Sequence, residues 1–412
     1  MLVGKQEHDL PEARRGYPDS KPVDQWPFIF KEFHARGYAT MFSEDEAWVN
    51  AFHYRLQGFE KPPTDRYLRP WWIAADRYIR ENSHDSASCP FELGLTYLKD
   101  FLAECKEKNH PTFSYLVSSA LTHSEPSHIA VMDSNINDFI TRWLNQTGYL
   151  NNSIVVIHGD HGNRLSEFRT TIQGKLEERL PFVSLTVPPW FKILYPEYYR
   201  NIRANSEVLT TYYDIYSTFK HLLNGLDKPP PSHKYGTSLF ADINRLNRTC
   251  EIAGIDEHWC PCLTYKSVAV TDSIVKLVAK NIVDSVNQRL SKYTKSRDMC
   301  IPLRVDKVLR ASTTLPNPKV QQYEKTVRTW SCDNCNISLD SNYTATEIKY
   351  EVVLRVQPSG AVLEAIGQYN IDTKHITLND NISRLNVYGK QPECIAKELP
   401  YLRPYCFCKK ES

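Results

Sequence analysis

Ser153-Ile154-Val155-Val156-Ile157-His158-Gly159-Asp160-His161-Gly162 is a β-branched apolar run that empties into an Asp-His-Gly turn. A short apolar run closed by Gly reads as a buried strand of a parallel sheet, and open α/β sheets carry their ligand chemistry just beyond the carboxyl ends of such strands. Asp160 and His161 stand at that position. A carboxylate oxygen beside an imidazole nitrogen offers a divalent cation two ligands of compatible hardness, and the flanking glycines permit a sharp backbone turn beneath it. A loop in which the Asp caps the next helix and the His is solvated has the same three letters, so the tripeptide alone does not decide the matter.

The chain on either side builds a layered pattern. Residues 113–123 read as a second strand ending at His123, and 182–186 as a third. Helical apolar spacing recurs over 26–36, 91–106, 127–144 and 207–223, and on 91–106 Leu93, Leu95, Leu98, Phe101 and Leu102 share one face. A further strand is expected at 38–42, after Gly37, while 59–72, rich in Pro and aromatic residues, reads as irregular packing. This alternation argues for an α/β fold, a mostly parallel central sheet with helices on both faces. The domain boundary is expected near Asn247 to Gly254, where Cys content rises, which divides the chain into 1–247 and a smaller Cys-rich α+β region, 248–412. In that region 267–290 contains a helix after a short strand, and 347–355 and 362–369 flank Gln357-Pro358-Ser359-Gly360 as an antiparallel hairpin.

The order of motifs resembles the sulfatase branch of the alkaline-phosphatase superfamily: a strand ending in His, a helix, then Gly148-Tyr-Leu-Asn-Asn-Ser-Ile-Val-Val-Ile-His-Gly-Asp-His-Gly162 in place of that branch's "GLLDNTIV" and "SDHG". The segment 209–223 is similar to its "D-I-x-x-T-x-x-x-L-L" helix, and Tyr235-Gly236-Thr237-Ser238-Leu239-Phe240 to its "G-x-S-L" segment. With Gly37-Tyr38-Ala39-Thr40, Gln57-Gly58-Phe59 and Pro63-Thr64-Asp65, the chain most resembles the secreted animal domain-of-unknown-function 229 family, clearly over 1–245 and more loosely beyond. The resemblance implies a metal-dependent hydrolase of sulfate or phosphate esters. In complete superfamily members a first strand supplies an acidic metal ligand and a nearby Thr, Ser or modified Cys attacks the ester. No strand ending in Asp and followed by a Thr or Ser helix precedes Phe28, and residues 1–20 carry no apolar signal segment. The expectation is therefore an N-terminally truncated domain that lacks its first strand, its nucleophile and half of its metal site.

Residue roles follow from position. Asp160 and His161 are the expected metal ligands for calcium, zinc or manganese, possession of the ion being left open because two protein ligands hold a divalent cation loosely. His123 is the expected catalytic residue: the resemblance places a His at that strand end near the substrate oxyanion. Arg164 is expected to bind a sulfate or phosphate oxygen, with a surface salt bridge as the alternative. Glu44 and Asp45, at another strand end, either reach the site or cap a helix, whereas Glu177, Glu178 and Arg179 read as a solvated face.

Composition narrows the function classes. With 50 Lys and Arg against 48 Asp and Glu, a formal charge of +2 gives no electrostatic case for nucleic acid or a membrane surface, and no apolar run is long enough to span a bilayer. Six Asn-x-Ser/Thr sequons, at Asn145, Asn151, Asn247, Asn336, Asn342 and Asn381, lean towards an extracellular or secretory-pathway protein carrying N-linked glycans. Eleven Cys point the same way. Nine of them follow residue 245 and are expected to form disulfides, because Cys260-Pro261-Cys262 and Cys406-Phe407-Cys408 have one residue between them where a zinc knuckle has two. An odd total leaves one over, with Cys89 and Cys105 the candidates. Two functions stay open: an ester hydrolase with an incomplete site, and a secreted non-catalytic glycoprotein that uses the same fold as a binding module.

Overall fold

The structure is a computed structural model that describes residues 1–81, 90–123, 129–164, 167–315, 325–329, 332–337 and 347–409. Two compact units form, one from Met1–Asp160 and Phe182–Ile255, the other from His161–Pro181 and Asp256–Ser412. The chain leaves the first unit directly after Asp160, contributes one excursion to the second, and returns. Sequence periodicity gave no sign of that excursion, because 161–181 holds too few apolar residues to show where it packs.

Chain order in the first unit is α1 (Ile29–Ala35), β1 (Ala39–Glu44), β2 (Arg66–Tyr67), α2 (Arg69–Glu81), α3 (Pro90–Glu107), β3 (Thr112–Val117), α4 (Ile129–Asn137) and β4 (Val155–His158). After α5 (Ile172–Arg179), which belongs to the second unit, come β5 (Val183–Thr186), α6 (Pro189–Leu194), α7 (Pro196–Asn205) and α8 (Tyr212–Asn224). Three parallel strands lie in the order β2-β1-β3, with Met41 opposite Arg66 on one side and Ser114 on the other. Successive side chains of β1 point to opposite faces. Met41 packs with Leu68, Trp72, Leu98 and Phe101 from the α2 and α3 side, and Phe42 with Phe30, Phe33, Ile215 and Phe219 from the α1 and α8 side. The first unit is thus a mixed α/β layer with its central strand buried on both faces.

Two expectations change here. Residues 59–72, read as irregular, contain β2 and the start of α2. A two-residue strand is too short to show alternation, and Trp72 of α2 is buried with its indole N–H donating to Ser43 Oγ at 2.9 Å. Moreover, β4 and β5 do not extend the parallel sheet; they pair antiparallel, Val155 with Thr186 and His158 with Val183. A run of β-branched residues marks a strand but carries no information about the direction of its neighbour.

Asp214, the acid of the 209–223 segment, has a structural task. It closes a capping box with Thr211 at the head of α8, accepts from Thr237 N–H at 2.7 Å, and takes both carboxylate oxygens to Arg248 Nη2 at 2.7 Å in a pair that is almost wholly buried. Gly236 is required beside it, because a Cβ there would stand 2.2 Å from the Tyr213 carbonyl oxygen.

The second unit adds β6 (Thr264–Ser267), α9 (Ser273–Ser291), α10 (Thr294–Met299), β7 (Arg304–Leu315), β8 (Lys325–Thr329), β9 (Cys332–Ile337), β10 (Glu347–Gln357), β11 (Val362–Asn370), β12 (Ile376–Leu378) and β13 (Ser383–Arg384). The hairpin expected around 357–360 is present, with Glu347 opposite Asn370 and Arg355 opposite Val362. It forms part of a six-stranded sheet in the order β12-β11-β10-β7-β6, with β13 beside β11. One face of that sheet is apolar: Val352, Leu354, Leu363 and Ala365 meet Val275, Val278, Ile282 and Val286 of α9.

Charged side chains on α5 and the sheet form a buried ionic layer. Lys175 pairs with Glu351, Arg179 Nη2 reaches Glu364 Oε1 at 2.7 Å, and Arg310 Nη2 lies 3.3 Å from Glu364 and 3.4 Å from Glu351. Arg169 Nε closes on Glu178 at 2.6 Å. The solvated-face reading of 177–179 therefore holds for Glu177 alone; Glu178 and the side chain of Arg179 are buried. Burial pulls Lys175 down to about 7, while the cations around Glu364 hold its carboxyl below the usual range against the desolvation that would raise it.

Disulfides link Cys300 to Cys406 and Cys394 to Cys408, and Cys250 and Cys260 are disulfide-bonded as well. Cys105, one of the two candidates for the cysteine left over, is a buried free thiol; Cys262, expected to be bridged with the rest of the carboxyl-terminal cysteines, is instead an exposed free thiol. Cys89, the sequon at Asn342 and the side chains of Cys332, Cys335 and Asn336 lie outside the described residues. No helix among the described residues is long and apolar enough to cross a membrane.

Candidate functional site

Strand ends of the first unit gather its acids. β1 runs out at Glu44, which is buried, and both of its carboxylate oxygens accept from the Ala51 N–H, at 3.0 and 3.2 Å. Ser119 Oγ, in the loop after β3, donates to Glu44 Oε1 at 3.3 Å. The next residue, Asp45, ties down that same loop by accepting from Ser118 Oγ at 2.8 Å, Ser119 N–H at 2.6 Å and Ala120 N–H at 2.9 Å. Helix capping, the alternative reading of these two acids, is replaced by loop fastening across the end of the sheet.

Asp160 follows β4 and is exposed. Its charge is felt by Glu44, Tyr115, His158 and Tyr212, so it shares the strand-end region with the β1 acids. Burial, helped by the charges of Asp45 and Asp160, pushes the Glu44 carboxyl up to about 7. Burial also raises Asp45, in spite of its three donors. An anionic Glu44 here is costly, and a bound proton or cation relieves it.

His158 is the residue that sequence reasoning passed over. It lies between two rings, stacked on Tyr115 at 5.9 Å between centroids and edge-on to Tyr212 at 5.4 Å, and burial lowers its pKa. Tyr212 donates its hydroxyl hydrogen to the Gly159 carbonyl oxygen, fixing the backbone one residue ahead of Asp160. A His at the very end of the quoted strand was the available signal.

His123 lies on the loop that Asp45 fastens. Its N–H donates to the Ser119 carbonyl at 3.0 Å and its side chain is exposed. His161 and Arg164 belong to the second unit, so the division of the chain falls between the two expected metal ligands. There His161 Nδ1 lies 2.7 Å from the Gly162 carbonyl oxygen, and Arg164 is exposed. Gly162 is needed for close approach: a Cβ would meet the Glu177 carbonyl oxygen at 2.3 Å, and the Gly162 N–H donates to Glu178 O at 3.1 Å. The glycine that sequence reading assigned to a turn under a cation thus also packs against α5.

A catalytic divalent ion normally takes three or more protein ligands. Among the described residues, the groups of three or more ligand atoms within 4.8 Å of one another consist of cysteines, and Glu44, Asp45 and Asp160 form no such cage. The acids are neighbours electrostatically without converging on a point.

The family model described as protein of unknown function (DUF229) matches residues 1–309. The chain belongs to the DUF229 family. Neither a curated protein nor a solved structure matches it. The DUF229 match runs past the 1–245 span of the clear resemblance, through β6 and α9 and into β7, so the family's pattern includes the first elements of the second unit's sheet as well as the strand-end acids.

Proposed function

We propose that this DUF229 chain is a secreted glycoprotein built on a sulfatase-like scaffold, whose strand-end acids bind a divalent cation weakly and which does not turn over sulfate or phosphate esters on its own. The observation that carries this reading is the meeting of Glu44 from β1 with the charge of Asp160 beyond β4, which helps to lift Glu44 to about 7. Glu44 ends the central strand of the parallel sheet, where an open α/β sheet keeps its ligand chemistry, and the absence of a three-ligand cage among the described residues argues for loose binding over turnover. Calcium, zinc and manganese all remain compatible with carboxylate ligands. Secretion is supported by the bonded cysteines and by the exposure of Asn145, Asn151 and Asn247, each at the head of a sequon.

The test is hydrolysis of nitrophenyl phosphate, bis-nitrophenyl phosphate and nitrophenyl sulfate by the purified chain with each of the three ions. No turnover is expected. Turnover that disappears in Asp160→Ala would overturn the reading.

One observation favours the second function, an active hydrolase. The Ser119 hydroxyl is hydrogen-bonded to a carboxylate that titrates near neutrality, the arrangement of a nucleophile and its general base. In that case Glu44 would accept the Ser119 proton as Oγ attacks the ester. Activity would then vanish in Ser119→Ala, show an acid limb near pH 7 in the unsubstituted chain, and be lost across that pH range in Glu44→Gln, which has no base.

A further inference from the structure

The cysteines of the carboxyl-terminal segment crowd together across their two disulfides. Sulfurs of Cys300, Cys394 and Cys406 lie within 4.8 Å of one another. Between the bridges, Cys394 Sγ stands 3.8 Å from Cys406 Sγ, and Cys406 Sγ 4.0 Å from Cys408 Sγ. A tetrahedral zinc ion with Zn–S bonds near 2.3 Å holds its sulfurs about 3.8 Å apart. We propose that, once both disulfides are reduced, Cys300, Cys394, Cys406 and Cys408 form a tetrathiolate zinc site, so that the same four side chains fasten the second unit in two redox states.

Three features prepare the site. Backbone hydrogen bonds hold its parts independently of the bridges: Ile301 N–H donates to Phe407 O at 2.8 Å, Lys409 N–H to Met299 O at 2.8 Å, and Cys408 N–H to Gln391 O at 2.9 Å. The Cys394 N–H donates to Cys408 Sγ at 3.1 Å, a bond that strengthens when the sulfur becomes a thiolate. Cys300 and Cys406 are 2% and 0% exposed and sit in the apolar cluster with Leu303, Ile395 and Leu402, which excludes competing water. The single residue between Cys406 and Cys408 argued against a zinc knuckle in the sequence, but the four sulfurs come from three chain segments; Cys408 Sγ, outside the group of three, would complete the cage once its bond to Cys394 is released.

The chemistry balances with a dithiol as reductant. Each disulfide accepts two electrons and two protons from one dithiol, which leaves as its own disulfide. Zinc binding then expels the four thiol protons as the four Zn–S bonds form.

The test uses the full chain carrying Cys262→Ser, which removes the exposed free thiol. It is reduced with a phosphine, desalted without oxygen and titrated with Co2+, then Zn2+. Expected are thiolate-to-cobalt charge-transfer absorption and tetrahedral d–d bands, lost on adding zinc, and an affinity weakened at least ~100-fold by Cys394→Ser but unchanged by Cys332→Ser with Cys335→Ser. Absence of the charge-transfer band, indifference to Cys394→Ser, or a reduced chain that stays unfolded by circular dichroism with cobalt present each overturns the proposal.

Discussion

Replacing Glu44 with Gln should stabilise the first unit above neutral pH and do almost nothing in acid. Burial and the neighbouring acids raise this carboxyl from 4.5 to about 7, which at 1.36 kcal/mol per pKa unit amounts to about 3 kcal/mol. The sign follows from proton counting. Between those two values the folded chain keeps a proton that the unfolded chain has lost, so stability falls as pH rises through the window and the full cost is present above it. Glu44 is 7% exposed, so solvent screening removes little of the effect. Gln keeps an acceptor for the Ala51 N–H and carries no charge. For a unit of this size, about 3 kcal/mol corresponds to roughly 6–12 °C in melting temperature. Melts of wild type and Glu44→Gln, followed by tryptophan fluorescence, should separate by that amount near pH 8 and coincide near pH 4. Added calcium near pH 8 should narrow the gap by stabilising wild type alone. A Gln variant that is less stable near pH 8, or equally shifted at both pH values, would refute the assignment of Glu44 as a buried acid crowded by Asp160.

Other outcomes are as definite. Glu351→Gln leaves Lys175 buried without its ion-pair partner, while Arg310 keeps Glu364, and should cost about 3–5 kcal/mol in urea unfolding, whereas Lys175→Met with Glu351→Leu should recover most of the loss; equal losses in both variants would show that the layer is not a charge pair. Arg248→Ala leaves Asp214 buried without its cation and should destabilise the first unit by about 3–5 kcal/mol, read by the same unfolding curves, with a near-zero effect counting against the tie between α8 and the 235–248 segment. In native protein, Cys262 should alkylate quickly and Cys105 only on unfolding, while Cys300, Cys394, Cys406 and Cys408 stay blocked until reduction; mass measurement after alkylation decides it. Enzymatic deglycosylation of the chain produced in animal cells should lower the mass and convert Asn145, Asn151 and Asn247 to Asp, and unmodified asparagines at all three would remove the support for secretion.

Much of the local structure was readable because its pattern is local. The apolar spacing that marked 91–106 is that of α3, and its inward side chains Leu95, Leu98 and Phe101 are buried as read. The 357–360 turn between two alternating runs marked β10 and β11. Where reading failed, the deciding partner was distant in sequence. β7, central to the second sheet, has Arg304, Asp306, Lys307 and Arg310 along it and does not read as a strand until Glu364 is seen facing Arg310. The site was half readable: Glu44, Asp45 and Asp160 were marked at strand ends, whereas the strand expected to end at His123 stops at Val117 and leaves that residue on the following loop; the loop contacts through Ser118 and Ser119 and the rings around His158 arise only when three strands end together.

Strand and helix type, the family pattern and the concentration of cysteines are written in neighbouring residues, since periodicity and composition need no tertiary partner. Strand direction at β4 and β5, the assignment of 161–181 to the second unit, the pairing of the cysteines and the raised pKa of Glu44 needed the folded chain. Each depends on groups brought together from far apart along the backbone, and the energies that decide them, desolvation and charge interaction at short range, do not exist until those groups are buried side by side.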